Sequence, residues 1–166
     1  MPINLPPYMT KVDNRLIRGR AVTSPVRLYQ LKQAGVTQIV DLRNTSFIKR
    51  PLEKLFCKII GIKYKNIKYS HRINTLPKPN FFYNVVNSIV ENNGKTYIHC
   101  EHGRRRTGIC VAMYEKLRSQ KPINEIIKDM IKLGFSDVFE NPNTKRSKKY
   151  YNILKDFMKT YCFPKE

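Results

Sequence analysis

The stretch of sequence from residue 96 to residue 117 restricts the fold more than any other. Thr-Tyr-Ile-His at residues 96–99 is typical of a short strand. After a polar stretch, residues 108–117 are apolar on nearly all sides. A helix without a polar face has to be buried among other elements. We therefore expect a central strand that leads, through one short loop, into a helix in the middle of the domain.

Strands and helices alternate along the rest of the chain. Further strands are predicted at residues 16–19, 37–42 and 64–69. Further helices are predicted from Ser24 and Pro25 to Gly35, at 52–60, around 82–89, at 122–133 and at 147–161. Surface loops are expected at 70–79 and 136–145. The alternation predicts an α/β fold with a single domain over residues 1–166, loosely ordered at 1–12 and 162–166.

The sequence carries no signal for export or for insertion into a membrane. No apolar run approaches the roughly 20 residues that span a bilayer. The first residues have neither the charged start nor the apolar stretch of a signal peptide. The four cysteines show no paired spacing, which indicates free thiols in a reducing compartment. We expect a monomer in the cytoplasm.

The chain is strongly basic, with 32 lysines and arginines against 12 acidic residues and a formal charge of +20. No acidic residue lies between Glu53 and Glu91, an interval with seven lysines and arginines. Such a field attracts polyanions such as RNA, inositol phosphates or acidic membrane surfaces. It is equally compatible with a lysine-rich coding bias that coats the surface, because charge alone carries no specificity.

One segment carries chemistry: His99-Cys100-Glu101-His102-Gly103-Arg104-Arg105-Arg106-Thr107-Gly108. A predicted strand enters it and a predicted helix leaves it. Five residues separate the cysteine from Arg106, and Gly103 suits the tight point of a loop. The backbone N–H groups of residues 101–106 can then surround one phosphate-sized anion, and the positive end of the helix adds to the attraction.

This arrangement suits a thiolate nucleophile. A free cysteine has a pKa of about 8.5, and the amides, the helix end and Arg106 would all lower the pKa of Cys100. The guanidinium of Arg106 can hold two phosphate oxygens at once. Thr107 can donate its hydroxyl to the sulfur, and His99 can orient the loop through its backbone carbonyls. An ordinary buried thiol is the alternative, but it would not require the other residues of the segment.

His-Cys-x5-Arg-Thr-Gly resembles the signature of the cysteine-dependent protein tyrosine phosphatase superfamily. The chain length is similar to that of its compact dual-specificity branch, and residues 15–19 and 35–43 also resemble that branch. The resemblance implies a central, mostly parallel sheet of four to five strands flanked by helices. It also implies a phosphocysteine intermediate, no metal and no other cofactor. The phosphate would lie among the residues after the nucleophile, namely Glu101, His102, Gly103, Arg104, Arg105 and Arg106.

The family's general acid has no evident counterpart. These enzymes usually carry an aspartate about thirty residues before the cysteine, but residues 42–128 contain none. His71, 29 residues before Cys100 (100 − 71), is the candidate by register. An imidazolium suits that role near neutral pH. His71 could instead bind phosphate together with Arg72 and Lys68. Carboxylates from elsewhere, namely Asp137 or Asp129, are further candidates, and so is a reaction without an acid.

Three functions remain open. A tyrosine or dual-specificity protein phosphatase leads, on the strength of the motif. An RNA 5′-phosphatase or triphosphatase, or a phosphatase of inositol polyphosphates or phosphoinositides, is the second, favoured by the charge, by His102, by Arg104 and by the absent aspartate, and opposed by Glu101. A phosphate-binding pseudophosphatase is the third, and retention of Cys100 and Arg106 argues against it. Cys57 and Cys110 are interpreted as core thiols, although Cys57 could form a regulatory disulfide with Cys100.

Overall fold

The computed structural model describes residues 9–44, 49–69, 76–119, 121–133, 152, 155–156 and 158–160. Within these residues a five-stranded sheet lies between two layers of helices. The elements in chain order are β1 (Met9–Lys11), β2 (Leu16–Arg20), α1 (Pro25–Gln33), β3 (Val36–Asp41), α2 (Lys49–Ile60), β4 (Lys63–Asn66), α3 (Pro79–Val90), β5 (Lys95–Cys100), α4 (Arg105–Arg118) and α5 (Ile123–Lys132).

The sheet has the order β1-β2-β5-β3-β4. Strand β1 pairs antiparallel to β2, whereas all the other neighbours run parallel. The predicted α/β fold with a mostly parallel sheet is therefore confirmed. Residues 9–11 belong to the segment 1–12 for which the sequence predicts loose order. These residues form β1 because they pair with residues 17–19 of β2.

The sheet separates two hydrophobic clusters, because successive side chains of a strand point to opposite faces. Val40 and Ile98 lie level with each other and pack on the face covered by α3, α4 and α5. Ile39 and Tyr97 lie level with each other and pack on the face covered by α1 and α2. Met158, in the described part of the predicted last helix, is also buried in the first cluster.

Helix α4 is the buried helix that the sequence predicted, and residues 107–114 are all buried. It begins at Arg105, three residues earlier than the apolar pattern indicated, and Gly108 N donates to Arg104 O at 2.8 Å. The first turn is polar because it closes the preceding loop. The predicted strand at 64–69 is also shorter in regular pairing, since β4 ends at Asn66.

The parallel strands bring their carboxyl ends to one edge of the sheet. Arg20, Cys100 and Asp41 end β2, β5 and β3 there, and Asn66 ends β4. Ligands of open α/β sheets bind at this edge, because the loops that follow the strands meet there. None of the helices in the described part of the chain is both long enough and apolar enough to cross a membrane.

Candidate active site

The phosphate loop, residues 100–106, lies between the end of β5 and the first turn of α4. Its tight point is Gly103, whose φ of 71° lies in the left-handed region that glycine tolerates best. A Cβ atom at this position would also lie 2.3 Å from the carbonyl oxygen of Gly19 on β2. The loop therefore rests directly on the neighbouring strand, and only glycine fits the contact.

Two hydrogen bonds hold the carbonyl groups of the loop against β2 and the residue after it. The buried Arg18 donates from Nη2 to Gly103 O at 2.9 Å. The backbone N–H of Ala21 donates to Glu101 O at 3.2 Å. With these carbonyl groups bonded outward, amides of the same loop are left to interact with the sulfur of Cys100.

Cys100 is nearly buried, with 4% of its surface exposed. Burial by itself raises the pKa of the thiol, but four groups around the sulfur outweigh it and lower the pKa below its ordinary value. They are the hydroxyl and the amide of Thr107, the positive charge of Arg106 and the amide of Gly103. Thr107 Oγ1 is buried without a hydrogen bond of ordinary geometry among the described residues, so its effect on the sulfur is that of a nearby dipole. The site favours a thiolate.

The guanidinium of Arg106 is partly buried beside the thiol. Among the described residues it makes no hydrogen bond and no ion pair with another side chain. Its planar donors are therefore available to an anion in the loop. The side chains of His102 and Arg104 are exposed on the outer rim of the same loop.

His99 lies on the face of the sheet covered by α1 and α2, where it stacks on Tyr97, and it is fully buried. Its Nδ1 lies 3.1 Å from the carbonyl oxygen of Cys100. Its Nε2 lies 3.1 Å from the carboxylate oxygen Oε1 of Glu53, which is buried as well. Burial lowers the pKa of His99, but the charges of Glu53 and Asp41 outweigh it and raise the pKa above 6.5.

Arg43 lies between the two carboxylates and is also buried. Its Nε donates to both carboxylate oxygens of Asp41, at 2.9 and 3.1 Å, and its Nη2 contacts both Asp41 and Glu53. Its Nη1 lies 3.7 Å from the carboxylate of Glu101 on the phosphate loop. Tyr64 on β4 adds a hydroxyl donor to Asp41. We call Asp41, Arg43, Glu53 and His99 the buried charge network.

The network also bears on whether a metal ion could bind. Asp41, Glu53 and His99 place ligand atoms within 4.8 Å of one another, as a metal site would. Arg43, however, already occupies both carboxylates with its guanidinium. A cation there would have to displace a buried positive charge and leave it unpaired, which is costly. The geometry supports an ion-pair network in preference to a metal centre.

The remaining predicted residues fall in several places. His71, Arg72 and Asp137 lie outside the described residues. Lys68 is exposed and lines a groove between β4 and α3, with Asn84, Asn87 and Glu91.

Asp129 forms an ion pair with Lys121, which also lies 3.4 Å from Glu115. Glu115 is ten residues beyond Arg105, the first residue of α4, which corresponds to about 15 Å along the helix. Asp129 is therefore engaged near the far end of α4.

Cys57 is buried in the cluster under α1 and α2, on the opposite face of the sheet from Cys100. Burial, with the charge of Glu53, raises the pKa of Cys57 to about 12. Cys110 is buried in α4, and its pKa is raised by burial as well. Cys57, Cys100 and Cys110, the cysteines in the described part of the chain, are free thiols. The interpretation of Cys57 and Cys110 as core thiols agrees with this packing.

A family profile for the DSP-PTPase phosphatases of polymorphic toxin systems (Tc-R-P) matches residues 17–119, well over half of the chain. The chain belongs to this family. This DSP-PTPase is therefore a cysteine-dependent phosphatase of the protein tyrosine phosphatase superfamily. No protein of curated function matches the DSP-PTPase significantly in sequence.

Solved structures share the fold of this DSP-PTPase at low sequence identity. TpbA of P. aeruginosa has a TM-score of 0.66 and 16% identity, over 92% of this chain and 91% of TpbA. The core catalytic domain of the PP-IP phosphatase SIW14 from S. cerevisiae has a TM-score of 0.68 and 18% identity, over 95% and 87%. PTPMT1 has a TM-score of 0.66 and 17% identity, over 92% and 94%.

The first prediction concerns how the stability of the fold depends on pH through the buried charge network. The folded-state pKa of His99 is raised, so its contribution to stability is fully present below about pH 6.5 and is lost as the pH rises through the folded-state pKa. Glu53→Gln removes the charge that raises this pKa and leaves Arg43 short of a partner. We expect a loss of about 3–5 kcal/mol in the free energy of unfolding at pH 6. Above the folded-state pKa of His99 the loss should be smaller.

Urea unfolding of the wild type and Glu53→Gln across this pH range measures the effect. Glu91→Gln is the matched control, because Glu91 is exposed at the end of α3 and should leave the curve unchanged. A loss for Glu53→Gln that is the same at every pH would mean that Glu53 does not hold a proton on His99.

A second prediction concerns the pKa of Cys100. Thr107→Val keeps the shape of the side chain but removes the hydroxyl that lowers the pKa of Cys100. We expect the pH profile of iodoacetamide alkylation at Cys100 to shift to higher pH, with the rate at pH 6 reduced several-fold. Mass spectrometry of the peptide that contains Cys100 separates it from the other cysteines. Thr107→Ser should restore the profile, and an unshifted profile in Thr107→Val would remove the hydroxyl from this role.

Proposed function

We propose that Cys100 is the nucleophile of this phosphatase and that Arg106 binds the phosphate that it attacks. The observation that carries the proposal is the arrangement of one loop around a nearly buried thiol: the hydroxyl and amide of Thr107, the charge of Arg106 and the amide of Gly103 surround the sulfur and favour a lowered pKa. A buried thiol without those groups would have a raised pKa, as Cys57 and Cys110 do. The contrast between these three described cysteines supports a specific role for Cys100.

The proposed reaction has two displacements at phosphorus. In the first, the Cys100 thiolate forms the S–P bond while the bond from phosphorus to the leaving oxygen breaks. In the second, water attacks the phosphocysteine, the S–P bond breaks, and inorganic phosphate and the thiolate are released. Arg106 and the loop amides stabilise the charge of the equatorial oxygens in both transition states. Thr107 stabilises the sulfur as it leaves.

The proton for the leaving oxygen is assigned to His71 in this proposal. The chain reaches the edge of the sheet just before this residue, since Tyr69 N donates to Leu42 O and Leu42 N donates to His99 O. His71→Ala should flatten the alkaline limb of the kcat–pH profile for an aryl phosphate. Asp137→Asn is the comparison variant. If the limb is unchanged in His71→Ala and lost in Asp137→Asn, the carboxylate is the acid.

A phosphorylated protein side chain, with tyrosine first and dual specificity included, is the leading substrate class in this proposal. The matching profile is that of a DSP-PTPase, and TpbA has also been solved in complex with pTyr. In this proposal an aryl phosphate binds in the loop that carries Cys100 at one end and Arg106 at the other. The free thiols of Cys57, Cys100 and Cys110 suit a reducing compartment such as the cytoplasm, which fractionation of the source cell can test.

A polyanionic phosphate is the second candidate. The formal charge of +20 favours it. The absence of aspartate from residues 42–128 also favours a phosphoanhydride substrate, because the phosphate that leaves from such a bond does not need to be protonated by a general acid. SIW14 is named as a PP-IP phosphatase, and it shares the fold. Under this alternative, Arg104 and His102 on the exposed rim of the loop would contact further phosphates of the substrate.

Variants of the loop test the nucleophile and the phosphate ligand. Cys100→Ser should reduce hydrolysis of p-nitrophenyl phosphate to background while binding of inorganic phosphate is retained. Arg106→Lys should lower kcat/KM by about 10²–10³, because lysine cannot hold two oxygens in the same plane. Arg105→Lys is the matched neighbour and should cost much less. Equal losses in the two arginine variants would contradict the role given to Arg106, and activity in Cys100→Ser would exclude the nucleophile.

A substrate panel separates the two substrate classes. It contains a phosphotyrosine peptide, a phosphoserine peptide, an RNA 5′-triphosphate and an inositol pyrophosphate. We expect the highest kcat/KM on the phosphotyrosine peptide, with a weak dependence on salt. A preference for either polyanion, with activity that falls steeply as salt rises, would favour the second candidate. Failure of the wild type on every substrate would support a pseudophosphatase.

A further inference from the structure

The outer surface of α1 and α2 exposes an unusual share of apolar side chains. Seven large apolar residues are substantially exposed among those described, and five of them lie on these two helices. The most exposed are Ile59, at 69%, and Val26, at 66%. We call the surface formed by these five residues the α1–α2 face: Val26, Tyr29, Leu52, Leu55 and Ile59.

The exposure on α2 is not a by-product of core packing. Leu52, Leu55 and Ile59 recur at i, i+3 and i+7 and so form one stripe along the helix. The opposite side of the helix already supplies the core, with Cys57 fully buried and Phe56 packed against the same cluster. The helix thus has an inner apolar side that is satisfied and an outer apolar stripe that is open to solvent.

The charges around this stripe have one sign. Lys54 and Lys58 are exposed on α2, and Lys32 is exposed on α1. The acids between residue 21 and residue 69 are Asp41 and Glu53, and both are fully buried in the charge network. The described residues of this interval therefore expose lysine and arginine but no carboxylate. A second copy of the chain would bring like charges together, so self-association through this face is disfavoured.

A groove next to the stripe has the same character. It lies between α2 and the edge strand β4, has a volume of about 450 Å³, and is mostly apolar. Leu55 and Ile62 lie in its lining, and Lys54 and Lys58 border it. Apolar side chains beside lysines, without acids, form the pattern with which proteins lie on anionic membranes.

We propose that the α1–α2 face docks on the surface of an anionic phospholipid membrane. Leu55 and Ile59 enter the boundary between headgroups and acyl chains, and Lys54 and Lys58 contact the phosphate and carboxylate groups of the lipids. Tyr29 suits the same interface, because its ring is apolar and its hydroxyl is polar. The proposal concerns binding and holds whichever phosphate the active site hydrolyses.

Docking in this way leaves the active site open. Glu53, in the first half of α2, contacts His99. Helix α2 therefore begins near the carboxyl ends of the parallel strands, where Cys100 lies. The α1–α2 face covers one side of the sheet, whereas the phosphate loop opens at its edge. A docked molecule would therefore hold its phosphate loop beside the bilayer surface, accessible to a substrate.

Vesicle co-sedimentation of the full chain tests the proposal without any phosphatase substrate. Vesicles of phosphatidylcholine with phosphatidylserine should bind the wild type, and vesicles of phosphatidylcholine alone should bind it far more weakly. Leu55→Gln with Ile59→Gln, and separately Lys54→Gln with Lys58→Gln, should each lower the partition coefficient by about tenfold or more. Hydrolysis of p-nitrophenyl phosphate without vesicles should be unchanged in both double variants, which shows that they fold.

Matched controls come from the other layer of helices. Lys128→Gln with Lys132→Gln removes two exposed charges from α5, and Leu133→Gln removes an exposed apolar side chain at its end. These variants should bind like the wild type. Equal losses from both lysine pairs, with no effect of Leu55→Gln with Ile59→Gln, would mean adsorption by net charge and would overturn the proposal.

Two other outcomes would also overturn it. One is a wild type that fails to bind the anionic vesicles. The other is a wild type that binds vesicles poorly but captures an acidic amphipathic peptide, or associates with itself in sedimentation velocity, in a manner abolished by Leu55→Gln with Ile59→Gln. The face would then bind a protein.

Discussion

The site depends on the ion pairs that the buried guanidinium of Arg43 makes with Asp41 and Glu53. A buried positive charge is tolerated only where opposite charges and hydrogen bonds surround it, so its partners are fixed in position. Arg43 follows β3, and Glu53 belongs to α2. His99 brings β5 into the same network, and its ring contacts the backbone carbonyl of Cys100. The end of β3, α2 and β5 are thus held together where β5 ends at Cys100.

A second support reaches the phosphate loop from the other side. Gly103 touches Gly19, and Arg18 donates to the carbonyl of Gly103, so β2 fixes the tight point of the loop. The loop is therefore held by both neighbours of β5 in the sheet. Strand β2 makes contacts with its carbonyl groups, and Arg43, just after β3, lies near the carboxylate of Glu101. The amides of Gly103 and Thr107, and the charge of Arg106, are left to act on the sulfur.

The sequence was sufficient to predict the loop and the buried helix α4, because both depend on contiguous residues. It also indicated the α/β class through the alternation of patterns. The charge network could not be read in the same way. Asp41 and His99 are far apart in sequence and become neighbours only because β5 pairs with β3, an order that no local pattern encodes. Glu53 looks like one charge in an amphipathic helix until its burial is known.

Sequence patterns also missed elements that form through pairing with a neighbouring strand and not through the intrinsic propensity of their residues. Strand β1 has three residues, and it exists because β2 offers it an edge. The start of α4 differed from the apolar pattern because its first turn serves the loop. Lys68 lies on the groove against α3, next in sequence to the buried Tyr69, and its contact with phosphate stays a prediction.

The placement of adjacent residues on opposite faces of β5 has a consequence for evolution. Cys100 faces the layer of α3 and α4, whereas His99, one residue earlier, faces α1 and α2. The buried charges that support the backbone of Cys100 therefore lie across the sheet, on the side of His99, whereas the exposed side chains of His102 and Arg104 lie on the loop itself. Mutations on the rim can accumulate without disturbing the electrostatics beneath it. A scaffold divided in this way lets one chemistry diversify over many phosphate esters.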